Sequence, residues 1–330
     1  MRMDDYSPYL TRTLLVGNRK GGVLKSSIVR SVADEAVRLG YKVLVLDGDP
    51  QGNLSKINFG LGEVEVGGWE SDRGRSLAMA MQYGTEMAPM HAHGVDVVCG
   101  GPELMGVLGA AIANPSVNLS GNLRASLARL CAQGQYDLVL IDSGPGDTNL
   151  LDAYMLTAKW LVVPVVDGDE NSMDGLDKMG ARYVDLRSKG AEIEVLGAVL
   201  TLIDHTAKSR NKVNWQILQD ALGDVGDAFE TMIRDSKAAR SDTTRYGLSA
   251  GQVAEKSVDV RKSRIAALRQ RAKEAKADGP GKHKAVPTTK LENPDEPWFT
   301  RDGSGLAEDY AKLTREIVAR IGKRLAADVA

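Results

Sequence analysis

Cysteine is nearly missing from this 330-residue chain: there are two, Cys99 and Cys131, far apart in sequence. That makes neither a disulfide framework nor a zinc-ligand pattern, and the expectation is two small buried thiols in a reducing compartment. Long hydrophobic runs are missing too; none approaches the roughly 20 residues that span a bilayer. Residues 1–13 are polar and carry Asp4 and Asp5, unlike a secretory signal, so a cytoplasmic protein is expected. An excess of charge of one sign is absent, since 42 Lys and Arg against 44 Asp and Glu leave a formal net charge of -2. Any nucleic-acid binding must therefore come from a local patch. There is no internal repeat. His91 and His93 flank Ala92 with no further ligand cluster beside them, so no metal site is expected there.

What is present is a soluble globular composition, 43% hydrophobic and 26% charged, in a pattern of short apolar runs alternating with longer helical stretches. Strands are expected at Thr13–Gly17, Lys42–Leu46, Val95–Val98, Tyr136–Ile141, Trp160–Val166 and within Ile193–Ile203. Helices are expected at Ser26–Leu39, Leu119–Cys131, Ser172–Arg187, Val213–Leu222 and Leu306–Ala326. Near-continuous apolar strands separated by helices imply an α/β fold, a mostly parallel central sheet with helices on both faces. Residues 60–90 show little periodicity and are expected as loop and short helix. The chain reads as one domain over residues 1–330, with a basic, Pro- and Gly-containing insertion at 254–305 and a C-terminal helix at 306–326 packing back on the domain. Within the insertion Ser257–Ala277 has a helical composition, and Asp278–Asp302 reads as a loop.

The first strand runs into Asn18-Arg19-Lys20-Gly21-Gly22-Val23-Leu24-Lys25-Ser26-Ser27. A strand, a glycine loop and a helix start form an anion site, because backbone N–H groups of the loop and the helix N-terminus converge on phosphate oxygens. Gly21 and Gly22 permit the tight curl. Lys25 is the residue to neutralise the β- and γ-phosphates, and the Ser26 hydroxyl the one to ligate Mg²⁺. The second strand ends in Asp47-Gly48-Asp49-Pro50-Gln51-Gly52-Asn53. Those carboxylates sit at the C-terminal edge of a parallel sheet, where ligands of such folds bind, and the period of two turns Asp47 and Asp49 the same way. The run Leu138-Val139-Leu140-Ile141-Asp142 is a Walker B pattern, with Asp142 holding the water shell of Mg²⁺.

Lys20-Gly21-Gly22-x-x-Lys25-Ser26 resembles the deviant Walker A motif of the ParA and MinD superfamily of P-loop proteins, and Asp47-x-Asp49-Pro50-Gln51-Gly52-Asn53 resembles that family's second motif. Further similarities are Val162-Val163-Pro164-Val165, Leu200–Asp204, Phe229–Arg234 and the last helix. The resemblance implies an ATPase of slow turnover with ATP and Mg²⁺ as ligands. It implies that Lys20 reaches the nucleotide of a partner subunit, so that ATP closes a sandwich homodimer. It implies that Asp49 orients the attacking water and that Asp47 lies near the Mg²⁺ shell. The nucleotide-contacting residues are then Lys20, Gly21, Gly22, Val23, Leu24, Lys25, Ser26 and Ser27. Two departures stand out: Leu24 replaces the usual glycine before the P-loop lysine, and Ser143-Gly144-Pro145 replaces the usual Asp-x-Pro-Pro continuation. If position 24 needs a positive φ, leucine costs roughly 1 kcal/mol or more there.

ParA-type proteins bind double-stranded DNA without sequence preference and release it after hydrolysis stimulated by a ParB-type centromere-binding partner. The resemblance therefore implies a nucleoid-associated protein that partitions a plasmid or chromosome. No helix-turn-helix precedes the first strand, as in the short ParA form. The basic candidates for DNA contact are Lys208 and Arg210; Arg234, Lys237 and Arg240; and, in the lopsided insertion, Arg261, Lys262, Arg264, Arg269 and Arg271. Clustered Lys and Arg suffice for such binding, though charge runs are ordinarily solvated faces. Alternatives are a relative that positions a protein or membrane cargo, and a weakly hydrolysing nucleotide switch. The last helix is amphipathic, but its apolar stripe is that of a core-docked helix, and no membrane partner is expected.

Overall fold

The computed structural model describes residues 7–62, 72–114, 116–145, 148–167, 170–277, 299–300 and 303–329. Among them one eight-stranded sheet carries the fold. In chain order the elements are α1 (Ser7–Leu10), β1 (Thr13–Val16), α2 (Lys25–Arg38), β2 (Val43–Gly48), α3 (Arg75–Tyr83), β3 (Met90–Ala92), β4 (Val95–Val98), α4 (Glu103–Ala113), α5 (Leu119–Gly134), β5 (Leu138–Ser143), α6 (Thr148–Met155), β6 (Trp160–Val166), α7 (Glu170–Ser188), β7 (Glu194–Ile203), α8 (Lys208–Leu222), β8 (Ile233–Arg234), α9 (Lys237–Tyr246), α10 (Ala250–Ala277) and α11 (Ser304–Val329). A π-helical turn, Leu54–Asn58, follows β2. The strand order is β3-β4-β2-β5-β1-β6-β7-β8, parallel throughout except for the β3–β4 hairpin.

The alternation of side chains divides the core in two. Leu14 and Val16 of β1, Val43 and Val45 of β2, and Leu138 and Leu140 of β5 pack with α2 and α11 on one face. Leu15, Leu44, Leu46, Val139 and Ile141 pack with α3 to α8 on the other. Strands buried on both faces carry no polar alternation, which is why they read as continuous apolar runs. Trp160–Val166 contains Pro164 because β1 pairs only as far as Val162, so the missing N–H costs no ladder bond on that side.

Besides helices α1, α4, α6 and α9, which were not among those expected, the structure differs from sequence expectation in three places. The hairpin strand β3 was not expected; His93 and Gly94 between β3 and β4 both have positive φ, 52° and 77°, the two-residue turn that matches strand twist. Helix α8 begins at Lys208, five polar residues before any apolar period shows. Helix α10 begins at Ala250, not Ser257, so the expected insertion boundary at 254 falls inside a continuous helix. The greater part of the expected loop at 278–302 lies outside the described residues.

Candidate functional site

The first strand, the second and the fifth end side by side, and their ends carry the chemistry. Val16 pairs with Asp142, and Asp142 pairs with Asp47 across the neighbouring ladder. Strand alternation puts both carboxylates on the α2 face. Beyond β1 the chain turns through residues 17–24 into α2. Asn18 fixes that turn: its Nδ2 donates to the Pro164 carbonyl at 2.8 Å, and its Oδ1 accepts the Lys20 N–H at 2.9 Å. Gly22 has a φ of 76° and Leu24 a φ of 69°. The position before Lys25 thus does require the left-handed region, and a leucine occupies it while packing against the core on the α2 face.

Lys25 is buried, 6% exposed, and its Nζ donates to the Lys20 carbonyl at 2.8 Å. Burial lowers its pKa, and Asp142 and Asp49 pull it back up. Asp142 is fully buried, and neither of its carboxylate oxygens has a hydrogen-bond partner of normal geometry. Burial raises its pKa well above the ordinary carboxylate value, Asp47 adds to the rise, and the Ser26 hydroxyl and Lys25 oppose it. Asp49, 8% exposed, accepts the Gln51 N–H at 2.9 Å and lies against Gly144. Two carboxylates, Asp49 and Asp142, therefore act on one ammonium group. Orphaned anionic oxygens beside a serine hydroxyl are a donor set of hard oxygens, which fits Mg²⁺ and not a softer metal.

Asp47 occupies a more enclosed place than the other two. Its Oδ2 accepts the Ser55 N–H at 2.8 Å and the Ser55 hydroxyl at 2.7 Å, and its Oδ1 accepts the Asp49 N–H at 3.2 Å. The Gly100 N–H donates to Ser55 Oγ at 3.1 Å, extending the brace to the loop after β4. Burial pushes the Asp47 carboxyl up to about 6 despite those bonds. A cavity of about 340 Å³ opens beside Asp49, lined among others by Gln51, Ser143, Pro145 and Tyr154. The Tyr154 hydroxyl donates to the Gly48 carbonyl at 3.1 Å, closing the floor. The roles of Asn18, Ser55 and Tyr154 were not visible in the sequence; only Asn18 gave a signal, its place at the mouth of the glycine loop.

The basic candidates are dispersed and of two kinds. Lys208, Lys237, Arg261, Lys262 and Arg269 are exposed. Arg210 is exposed and pairs with Asp167 at 3.1 Å. Arg234 serves the fold: its guanidinium grips Asp309 through Nε at 2.6 Å and Nη2 at 2.8 Å, joining β8 to α11. Arg240 likewise pairs with Asp235 at 2.7 Å and is largely enclosed. The side chains of Arg264 and Arg271 lie outside those described. On α10 the described side chains from Arg261 to Gln270 are all exposed.

Comparison with known proteins finds one matching family and several similar proteins. Residues 11–191, more than half of the chain, match the family described as AAA domain. A chromosome partitioning protein ParA of Caulobacter vibrioides is 27% identical over 239 residues, covering 72% of this chain and 85% of that one. The structure of pNOB8 ParA bound to nonspecific DNA is similar with a TM-score of 0.55 at 19% identity, covering 96% of this chain and 99% of that one. Cobyrinic acid a,c-diamide synthase of Mycobacterium smegmatis with bound ATP analog and magnesium is similar with a TM-score of 0.56 at 22% identity, covering 73% and 94%. Among the described residues no helix is long and apolar enough to cross a membrane.

Proposed function

The chain belongs to the AAA domain family, within the ParA/MinD class of P-loop ATPases, and from that premise we propose that it is a DNA-partition ATPase whose ATP-bound homodimer holds nonspecific double-stranded DNA. The observation that carries the nucleotide half is the buried cluster of Lys25, Asp49 and Asp142 at the mouth of the glycine loop, with two carboxylate oxygens unsatisfied. Residues 20–27 cradle the phosphates with their backbone N–H groups, and Lys25 neutralises them. Ser26 and Asp142 hold the metal; Mg²⁺, when bound, offsets charge on the phosphate oxygens. Asp49 orients the attacking water. Asp47 acts one step back, fixing the Asp49 backbone and the loop carrying Ser55. Lys20 reaches the nucleotide of a second copy, and a ParB-type protein accelerates a slow hydrolysis.

The DNA half rests on the exposed basic stretch of α10 together with Lys208 and Lys237, and on the likeness to a ParA protein seen on nonspecific DNA. Phosphate neutralisation by clustered cations needs no sequence readout. The test is fluorescence anisotropy of a random-sequence duplex with no nucleotide, with ADP-Mg²⁺ and with ATP-Mg²⁺, beside a phosphate-release assay. Salt-sensitive binding that appears with ATP only, and phosphate release that Asp49→Ala abolishes while ATP binding persists, are the expected results. DNA affinity indifferent to nucleotide sinks the DNA half; phosphate release that survives Asp49→Ala sinks the assigned role of Asp49.

A further inference from the structure

Arg30 is a charged side chain only 1% exposed, one turn into the helix that the glycine loop opens. Stability alone favours an apolar side chain of similar volume in such a place, since taking a guanidinium out of water is costly. Its hydrogen bonds show what it connects. Nε donates to the Asn58 carbonyl at 2.9 Å, in the turn after β2, and Nη2 donates to Gln252 Oε1 at 3.0 Å. The plane lies over the Phe59 ring, 4.7 Å from its centroid.

Gln252 is half of the cap of α10. The Ser249 hydroxyl oxygen accepts the Gln252 N–H at 3.1 Å, and Gln252 Oε1 accepts the Ser249 N–H at 3.0 Å. This reciprocal Ser-x-x-Gln box fixes where the helix starts and how it is aimed. Arg30 therefore bonds to the same oxygen that sets the root of the basic arm. Two further ties run in parallel. Ser249 Oγ donates to Asp34 Oδ2 at 2.7 Å, and Arg38 pairs with both Asp34, at 3.1 Å, and Glu255, at 2.9 Å. Three residues on one face of α2, at positions 30, 34 and 38, thus grip the first turns of α10.

The nucleotide end of α2 enters the same junction. Ser27, one of the phosphate-cradling residues, lines a small cavity with Arg30, Ser31, Arg240 and Tyr310. There Arg240 Nε is buried without a hydrogen-bond partner, Arg30 Nη1 has only Asp34 Oδ1, at the ion-pair distance of 3.7 Å, and Ser27 lies beside the Tyr310 hydroxyl. Arg240 Nε and the Tyr310 hydroxyl are left without hydrogen bonds and Arg30 Nη1 is only weakly held, so the polar groups of the junction have alternative pairings at hand.

We propose that this polar junction carries nucleotide occupancy from the phosphate loop to the root of α10, so that ATP binding at Ser27 resets how the basic helix is held. The DNA consequence rests on the function proposed above; the coupling from nucleotide to helix root does not. The test is amide hydrogen exchange of residues 250–261 in the full chain, with and without ATP-Mg²⁺, for wild type, Arg30→Met and Gln252→Ala, with a fluorescent ATP analogue reporting nucleotide affinity. The wild type changes its exchange in this segment with ATP, and both variants lose that change while still binding nucleotide. An unresponsive segment in the wild type, or an undiminished response in the variants, overturns the coupling. Should Arg30→Met not fold, Gln252→Ala, which removes only a partly exposed amide, decides alone. Duplex anisotropy on the same samples separates the two readings: a ratio of ATP to ADP affinity for DNA that drops at least about fivefold in the variants supports the link. A ratio that stays put overturns the link and leaves DNA binding standing, whereas a wild type that ignores DNA while its helix root responds to ATP removes the DNA reading alone.

Discussion

At the scale of single residues, Leu24 and Asp47 each hold a place that is costly for them. A left-handed backbone costs an L-residue roughly 1–2 kcal/mol, and Leu24 recovers a comparable amount, about 1 kcal/mol, by packing against the core on the α2 face. Leu24→Gly relieves the first term and loses the second, so urea unfolding should leave it within about 1 kcal/mol of wild type. Leu24→Val keeps the strain, tightens it at the branched carbon and loses packing; a drop of about 1 kcal/mol or more is expected. Asp47 differs, because its cost depends on pH. Its pKa is raised in the fold, from 3.8 to about 6, with burial the first cause. A raised carboxyl stabilises fully below the unfolded pKa and loses that contribution as pH climbs through the folded one. In magnesium-free buffer the unfolding free energy of Asp47→Asn relative to wild type should therefore shift in the variant's favour by about 2 kcal/mol between about pH 4 and pH 6.5. A difference that is flat across that window would mean that Asp47 titrates normally.

At the scale of elements, α11 shows which ion pairs matter. Asp309 is 9% exposed and takes the Arg234 guanidinium in two bonds and the Arg234 N–H in a third, at 3.1 Å. Glu308, its neighbour, pairs with Lys312 at 2.8 Å, but both side chains are more than half exposed. Asp309→Ala leaves a half-buried guanidinium without its partner and should cost about 2 kcal/mol in thermal or chemical unfolding. Glu308→Ala should cost less than about 0.5 kcal/mol. The same contrast between local pattern and distant contact explains how legible the molecule was. Strands from Thr13, Val43, Leu138 and Trp160 were readable because burial on both faces leaves an unbroken apolar run. Helix starts were less so: the first turn of α8, Lys208-Ser209-Arg210-Asn211-Lys212, has no apolar period, and the capping box that opens α10 stands ahead of the stretch whose basic composition draws the eye. In the site, the glycine loop, Asp47, Asp49 and Asp142 could be read because each sits in a contiguous motif. Ser55 and Tyr154 could not, since each acts on a strand end that is remote in sequence, through contacts only the fold creates.

At the scale of the whole molecule, a net charge near zero hides an uneven distribution. α10 gathers the exposed Arg261, Lys262 and Arg269 on one helix. Each phosphate neutralised adds about 0.9 to the slope of log affinity against log salt. Replacing these three with glutamine should therefore lower that slope by about 2 to 3, read from anisotropy titrations at several salt concentrations. A slope that does not move puts the DNA contact elsewhere on the surface. The sheet order carries a consequence of another kind, concerning time. β1 lies between β5 and β6, and neither neighbour exists until the chain has been made past Leu138 and Trp160. At ribosomal speeds of about 5–20 residues per second, the glycine loop waits on the order of ten seconds or more after its own synthesis before it has a scaffold. The first of the site's motifs to be translated is thus among the last to take shape, and a nascent chain cannot hold nucleotide before most of its sheet has been translated.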